Sequence, residues 1–509
     1  MKKSPEKQAK KRVNSILSII SSSQSRIECI SLAVILIGVF LASYQFFYNR
    51  SLWHDEAALA RNLVDLDLLS LLKPLKHEQA APIGFLIIEK LALGLLGKNE
   101  YALRLFPLLS FFVSIPLFYL FLTRLLVDRT VASISTAIFS INRNLLDYSS
   151  EVKQYSMDVA WTLMIGYLSV SLEWRTKSAL WTYAAVGSLA VWFSNVSIIP
   201  LATSGLYVIY TEAYRRRNYR VLVPILTWLV SFGIYYAAFI RDHPLKDYMI
   251  QYWQGSFLPL SFFTAEPFVF LAKATSQLYR LLGFGPLWPV SFAISLAALA
   301  FWVKHRKYSY LYICLFPVGA HLILSGLKLY PFAGRFLLYV APLTIFMFAS
   351  GLCVLFEFVK KKIAWLPRLA MIIPVLALFY PIVLKFPIEK QEIKQSLDFI
   401  HENIRSDDSV YVYYGASHAF AFYEKTSRIG DIAKHPIIHG RWHGLENTPY
   451  DRELSDLRGR VWLLFSHVIR PASGDSHERY MVDFLLRDGA ELLAEQKFTG
   501  SSVYYLDVK

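Results

Sequence analysis

Three stretches of this chain set acids and bases close enough together to do chemistry. "SLWHDEAALARNL" (Ser51–Leu63) places Asp55 and Glu56 side by side after His54, with Arg61 further along. "KHEQAAP" follows with Lys76, His77 and Glu78. A second stretch, "NRNLLDYSSEVKQYSMD", carries Arg143, Asp147, Glu151, Lys153, Tyr155 and Asp158. A third, "KLYPFAGR", carries Lys328, Tyr330 and Arg335. A carboxylate can take the proton of an acceptor hydroxyl or bind a divalent cation. A guanidinium or ammonium group can neutralise a phosphate. Acid, base and basic anchor together suit transfer from a phosphorylated lipid to an acceptor. Each stretch alone has a plainer reading. Asp55 and Glu56 suit the first turn of a helix, where the macrodipole favours acids. Glu151, Lys153 and Tyr155 suit a solvated loop, Lys328 and Arg335 suit interfacial anchors, and His77–Glu78 suits a helix cap.

The elements that must hold these residues are apolar. The chain is 55% hydrophobic and 16% aromatic, with 18% charged residues. Its apolar residues come in runs near the ~20 needed to span a bilayer. Carboxylates beside such runs are uncommon and often functional. The net charge of +15 does not mark a nucleic-acid binder. From Pro387 to Lys509 there are 15 basic and 19 acidic residues, so the basic excess lies between the apolar runs. That is the pattern of cytoplasmic loops. Cys29, Cys314 and Cys353 fall in apolar runs and imply no disulfide framework.

Parity sets the expected topology. Residues 1–26 form a basic cytoplasmic tail, and an uncleaved first span runs from about Ile27 to Tyr48. "APIGFLIIEKLALGLLG" (Ala81–Gly97) is short and broken by Glu89–Lys90, so it reads as a helix lying in the outer interface. Spans then run over about Tyr101–Leu122, Val131–Leu145 and Met157–Leu172, followed by two short ones between Leu180 and Tyr210. A seventh ends near Ile240, an eighth covers about Leu287–Val303, a ninth ends before Lys328, a tenth leads to Lys360–Lys362, and an eleventh covers about Pro367–Leu384. Every strong basic cluster then falls inside, including "YRRRNYR" and "KHRK". Counting Ala81–Gly97 as a span would invert all later loops.

The expected architecture is therefore a polytopic α-helical membrane protein of about 11 spans plus an interfacial helix, ending in a small extracytoplasmic α/β domain. The transmembrane part covers residues 27–385 and the tail 386–509. In the tail, "EKQEIKQSLDFIHENI" and "DSHERYMVDFLLRDGAELL" have helical period. "DSVYVYYGA", "RVWLLFSH" and "SSVYYLDV" read as strands, two of them entering turns rich in Gly, Ser and His. Their alternation predicts an α/β sandwich of about 120 residues.

In order and spacing, "SLWHDEAALARNL", "HEQAAPIGFLIIEKLALGLLG", "EYALRLFPLL", "DYSSEVKQYSMDV" and "YPFAGRFLLYVAP" resemble the multi-span lipid-phosphosugar-dependent glycosyltransferases. These form the GT-C superfamily, which includes the protein O-mannosyltransferases and the aminoarabinose-to-lipid-A transferases. The resemblance covers about residues 27–385. It implies an acidic motif in the first external loop, an interfacial helix after it, and an acid in the second loop. By this resemblance Asp55 is the catalytic or base carboxylate, Glu56 supports it and Glu151 is the second-loop acid. The donor is a polyprenyl-phosphate sugar, whose phosphate Arg335, Lys153 or Lys328 would hold. His54, Tyr155 and His77 are candidates for acceptor or supporting roles. A divalent metal stays open, with Glu78 as its candidate ligand. The long external insert of the protein O-mannosyltransferases is not recognisable here.

The implied setting is a bacterial inner (plasma) membrane, with an acceptor that is a lipid, a glycan or a protein. A lipid-linked sugar transporter would instead call for charges at mid-span and repeat symmetry. An envelope polysaccharide polymerase or ligase would not need a double acid directly after the first span. A non-catalytic scaffold using the tail as a binding module would tolerate Asp55→Asn.

Overall fold

Helices form most of the chain, as its long apolar runs require. The structure, a computed structural model, describes residues 5–125, 128–261, 263–360, 384–426, 429–444, 450–471 and 475–509. The expected eleventh span, but for Leu384, lies outside the described residues, as do Lys361, Lys362, Lys2 and Lys3. Seven helices are long and apolar enough to cross a membrane: Arg26–Tyr48, Glu100–Leu125, Asn195–Tyr214, Tyr219–Ile240, Gly285–Lys304, Tyr308–Gly326 and Gly334–Val359. Three expected spans are shorter helices, over Arg129–Ser140, Tyr155–Ser171 and Lys177–Phe193. The longer two have 17 residues. At 1.5 Å per residue such a helix covers about 26 Å, short of a ~30 Å hydrocarbon core. Among the described residues seven helices meet the length and hydropathy of a span, so the count of eleven is not confirmed. The helix Ile83–Leu96 has 14 residues, about 21 Å, and is too short to cross.

The chain divides into two compact units that do not follow chain order. The helical unit comprises Met1–Tyr44, Ala81–Phe85 and Phe106–Leu384. Its helices start where side-chain oxygens meet orphan amides. Asp128 accepts from the Thr130 amide, Asn142 from the Asn144 and Leu145 amides, and Thr176 from the Ala179 amide. Trp174, Tyr183, Val191 and Trp228 are buried together in one core cluster. The helices Trp288–Lys304 and Ala341–Lys360 approach so closely that a Cβ at Gly351 would strike the Ile294 carbonyl.

The sheet unit comprises Gln45–Ala80, Leu86–Leu105 and Lys385–Lys509. Its sheet has the order β2-β1-β3-β5-β4, with β1 Ser409–Val412, β2 Ile437–His439, β3 Gly459–Ser466, β4 Glu491–Phe498 and β5 Ser501–Val508. β1 runs parallel to β2 and β3, whereas β5 is antiparallel to β3 and β4. On one face Trp462 stacks on Tyr505 at 4.2 Å, and both donate to the buried Asp408 carboxylate. On the other, Tyr411, Leu463 and Leu506 meet Met481 and Leu485 of the helix His477–Arg487.

One expectation for the tail changes. The run "DSHERYMVDFLLRDGAELL" does not continue as a helix. Gly489, at φ +92, follows the helix end at Arg487, and Glu491 onward pairs with β5. The cross-strand partner overrides the helical period. The β4–β5 turn passes through Gly500 at φ +68, where a Cβ would strike the Lys390 carbonyl. Close approach there brings the Glu392 amide to the Thr499 carbonyl at 2.8 Å and seats Lys390 and Gln391 beside the first loop.

Candidate active site

Asp55 lies in the first turn of the helix His54–Asp65, half-buried. Ala57, Ala58, Leu59, Ala60 and Leu63 give this helix its buried face. The adjacent acid, Glu56, points the other way. Glu56 and Arg104 are both fully buried and paired at 3.1 Å. Arg104 also donates to the Arg50 carbonyl at 2.7 Å and to the Ser51 carbonyl at 3.3 Å. Glu56 is therefore spent on fixing the loop, and only Asp55 of the double acid turns toward a polar surface. The Gln79 amide donates to Asp55 at 3.2 Å.

Around Asp55 stand four histidines drawn from distant parts of the sequence. His54 stacks on His467 at 4.4 Å and 9°, and packs on His418 at 4.9 Å. His77 meets His418 at 4.7 Å. The His54 Nδ1 donates to the Gly415 carbonyl at 3.0 Å, and its backbone amide donates to Gln391 at 2.9 Å. Gln391 donates in turn to His467 Nδ1, and Arg61 to His418 Nδ1. These donors leave the proton of the neutral His467 and His418 rings on Nε2, whereas that of His54 is on Nδ1.

Burial pushes His418 down to about 3, helped by His54, His77 and Arg61 and opposed by Asp55. Burial likewise pushes His467 down to about 4, helped by His54 and opposed by Asp55. The unfolded chain takes up these protons near pH 6.5, the folded one only at about 3 to 4. The unfolded state binds more protons in that window, so the fold loses stability as pH falls through it. The thermal midpoint of the full-length protein should therefore fall between pH 7 and pH 5. His418→Gln should flatten that slope, and an unaltered slope in the variant would assign it to other groups.

The helical unit holds a second cluster. Tyr155, at the start of the helix Tyr155–Ser171, lies against Tyr148 at 5.2 Å and Phe336 at 6.2 Å. The Arg335 guanidinium is 5.7 Å from the Tyr155 ring, 5.8 Å from Trp253 and 5.9 Å from Phe336. Glu151 and Lys153 are buried in the turn between, where the Lys153 amide donates to the Glu151 carbonyl at 2.7 Å. Burial raises the Tyr148 hydroxyl well above its usual range, with Glu151 adding to the shift and Arg335 opposing it. An aromatic frame orients a guanidinium and excludes water from it.

The structure thus brings Glu151, Lys153, Tyr155 and Arg335 together in the helical unit. It gathers His54, Asp55 and His77 in the sheet unit. Lys328 is exposed and carries φ +56. Glu78 is exposed beside His77, both in the left-handed region. Among the described residues no group of three or more His, Cys, Asp or Glu side chains is arranged to hold a metal ion. Sequence reading missed Arg104, the one charged residue within "YALRLF". It also missed His418 and His467, although both belong to the Gly-, Ser- and His-rich turns that follow β1 and β3.

The chain is a multi-pass membrane protein, and its fold is shared with solved structures of low sequence identity. The particular likeness is to ArnT from Cupriavidus metallidurans. Its crystal structure bound to undecaprenyl phosphate matches with a TM-score of 0.50 at 12% identity, over 94% of this chain and 97% of that one. Its apo structure matches with a TM-score of 0.51 at 11% identity, over 96% and 98%. A fainter likeness is to the Archaeoglobus fulgidus oligosaccharyltransferase in complex with Zn and sulfate (TM-score 0.46, 13% identity, 84% and 67%), and it adds nothing to the fold assignment. No family model and no curated protein matches the sequence.

Proposed function

We propose that this protein transfers a sugar from a polyprenyl-phosphate donor to an acceptor hydroxyl on the extracytoplasmic face of a bacterial inner membrane. The observation that carries the reading is the separation of roles within the double acid. Glu56 is locked on Arg104, while Asp55 is half-buried, accepts from Gln79 and lies near His418 and His467, which burial keeps neutral. The ArnT-like fold supports it, since one of those structures holds undecaprenyl phosphate.

In the proposed step Asp55 accepts the proton of the acceptor hydroxyl. The acceptor oxygen attacks the anomeric carbon from the face opposite the phosphate. The bond from that carbon to the phosphate oxygen breaks, its electron pair stays on the phosphate, and polyprenyl phosphate leaves. A single displacement of this kind inverts the anomeric centre. The reading is tested by profiling lipid-linked sugars in a strain lacking the protein. A polyprenyl-phosphate sugar should accumulate, and an unchanged profile would overturn the proposal.

Arg335 is the proposed holder of the donor phosphate. Gly334 at φ +41 and Pro331 shape its approach, and the aromatic frame keeps the guanidinium fork aligned. Lysine offers only a point charge. Arg335→Lys should therefore retain part of the activity and Arg335→Ala should lose most of it, with the donor KM rising in the same order. If Arg335 only reached for headgroups, lysine would replace it with little loss. An unchanged donor KM and turnover in Arg335→Ala would shift the role to Lys153 or Lys328.

A further inference from the structure

Two helices long enough to cross a membrane, Asn195–Tyr214 and Tyr219–Ile240, are joined by a loop that the transfer step does not use. Three of the loop's four residues are Arg215, Arg216 and Arg217, and Arg220 follows at once. So short a connection between two spans keeps these side chains at headgroup depth. Tyr210, Tyr214 and Tyr219 flank it with half or more of their surface exposed. Such rings favour the boundary between membrane and water.

The loop has a fixed shape. The first helix ends in a wide turn over Ile209–Tyr214, closed by the Arg215 amide donating to the Tyr210 carbonyl at 3.1 Å. Turns of this π type recur at functional sites. Here the turn stacks Tyr210 on Tyr214 at 6.0 Å and 15°, and sets the Arg215 guanidinium 4.8 Å from the Tyr210 ring. A guanidinium over a ring uses its face and keeps its N–H edge for an anion. Arg217, at φ +56, holds a backbone conformation that favours glycine, and it donates to the Tyr219 hydroxyl at 3.3 Å. The Asn218 side chain donates to the Trp174 carbonyl at 3.0 Å, and Trp174 and Val221 are buried in the same core cluster. That bond ties the loop to a second one bearing Arg175 and Lys177, both exposed. Within Glu173–Lys177 and Tyr210–Arg220, six cations stand against two acids. Glu173 is exposed, and Glu212 is buried and pairs with Arg216 at 2.9 Å. Among the described residues no ion pair engages the other five cations.

We propose that these two tied loops bind the phosphate headgroup of an anionic phospholipid, with Arg215, Arg217 and Arg220 as its principal donors. Guanidinium groups pair with phosphate through two parallel hydrogen bonds, and the flanking tyrosines lie where the lipid's glycerol would be. The assignment does not depend on the transfer reading. The full-length protein in detergent is titrated with dioleoyl phosphatidylglycerol or dioleoyl phosphatidylcholine, and bound lipid is counted by native mass spectrometry. Phosphatidylglycerol should bind at least about tenfold more tightly, since each basic residue near an anionic headgroup contributes about fivefold. Arg215→Gln with Arg220→Gln should remove at least about tenfold of that affinity and leave phosphatidylcholine binding unchanged. Lys273→Gln with Arg280→Gln takes the same charge from the exposed side of the helix Glu266–Arg280 and should keep the wild-type preference. Arg217→Gly removes a charge and relaxes the backbone, so affinity should fall about fivefold while the thermal midpoint holds or rises. Equal affinity for the two lipids, unchanged affinity in either loop variant, or an equal loss in the Lys273 and Arg280 control overturns the proposal. So does glycerol 1-phosphate binding as tightly as phosphatidylglycerol, which would make this a site for soluble phosphates.

Discussion

Asp55→Asn is expected to lower sugar transfer at least about a hundredfold while the thermal midpoint stays within about a degree of wild type, since general acid–base groups contribute on that scale. Asparagine keeps the size and the hydrogen bond from Gln79 but cannot accept a proton. The hydrogen bond from Gln79 survives the exchange, so the packing of the turn is expected to hold. The measurement is release of polyprenyl phosphate by purified protein with donor and membrane-extracted acceptor. Turnover above about a tenth of wild type would exclude a base role.

Arg104→Ala should act in the opposite way, through the fold. The substitution leaves the Glu56 carboxylate fully buried without its cation, which costs about 3–5 kcal/mol. It also removes the donors that hold the Arg50 and Ser51 carbonyls, so the loop leading to Asp55 loses its support. Chemical unfolding in detergent should show that loss, and activity should disappear with it. Arg104→Met with Glu56→Leu should recover most of the stability, since an apolar pair of similar volume removes the buried charge altogether. A loss below about 1 kcal/mol in Arg104→Ala would mean that water reaches the pair.

The helical character and the interruption of Ala81–Gly97 were legible in the sequence because hydropathy and helix length share one physical cause, the need to satisfy backbone groups away from water. Asp55 was legible because an acid beside an apolar run is conspicuous. Its separation from Glu56 was not. Neighbouring residues on a helix face about 100° apart, and which of two acids turns inward depends on a cation from another helix. The histidines were hidden for a related reason. His418 and His467 lie more than 350 residues from their partners Arg61 and His54, and no local period reports so distant a neighbour. The strand Glu491–Phe498 was masked by leucines at helical spacing, and its β5 partner decided it.

The Asp55 loop and its histidine partners also have a consequence in time. The His54 amide and the Gln391 side chain that receives it are 337 residues apart. At roughly 5–20 residues per second, a ribosome needs on the order of half a minute to pass from one to the other. During that interval the nascent loop already carries its carboxylate with His54 and His77, but not yet His418 and His467. An even number of membrane crossings must be completed before the two segments share a compartment. Release of the chain before residue 391 would thus leave Asp55 without Gln391, His418 and His467 nearby. Assembly of the site doubles as a check that translation has run its course.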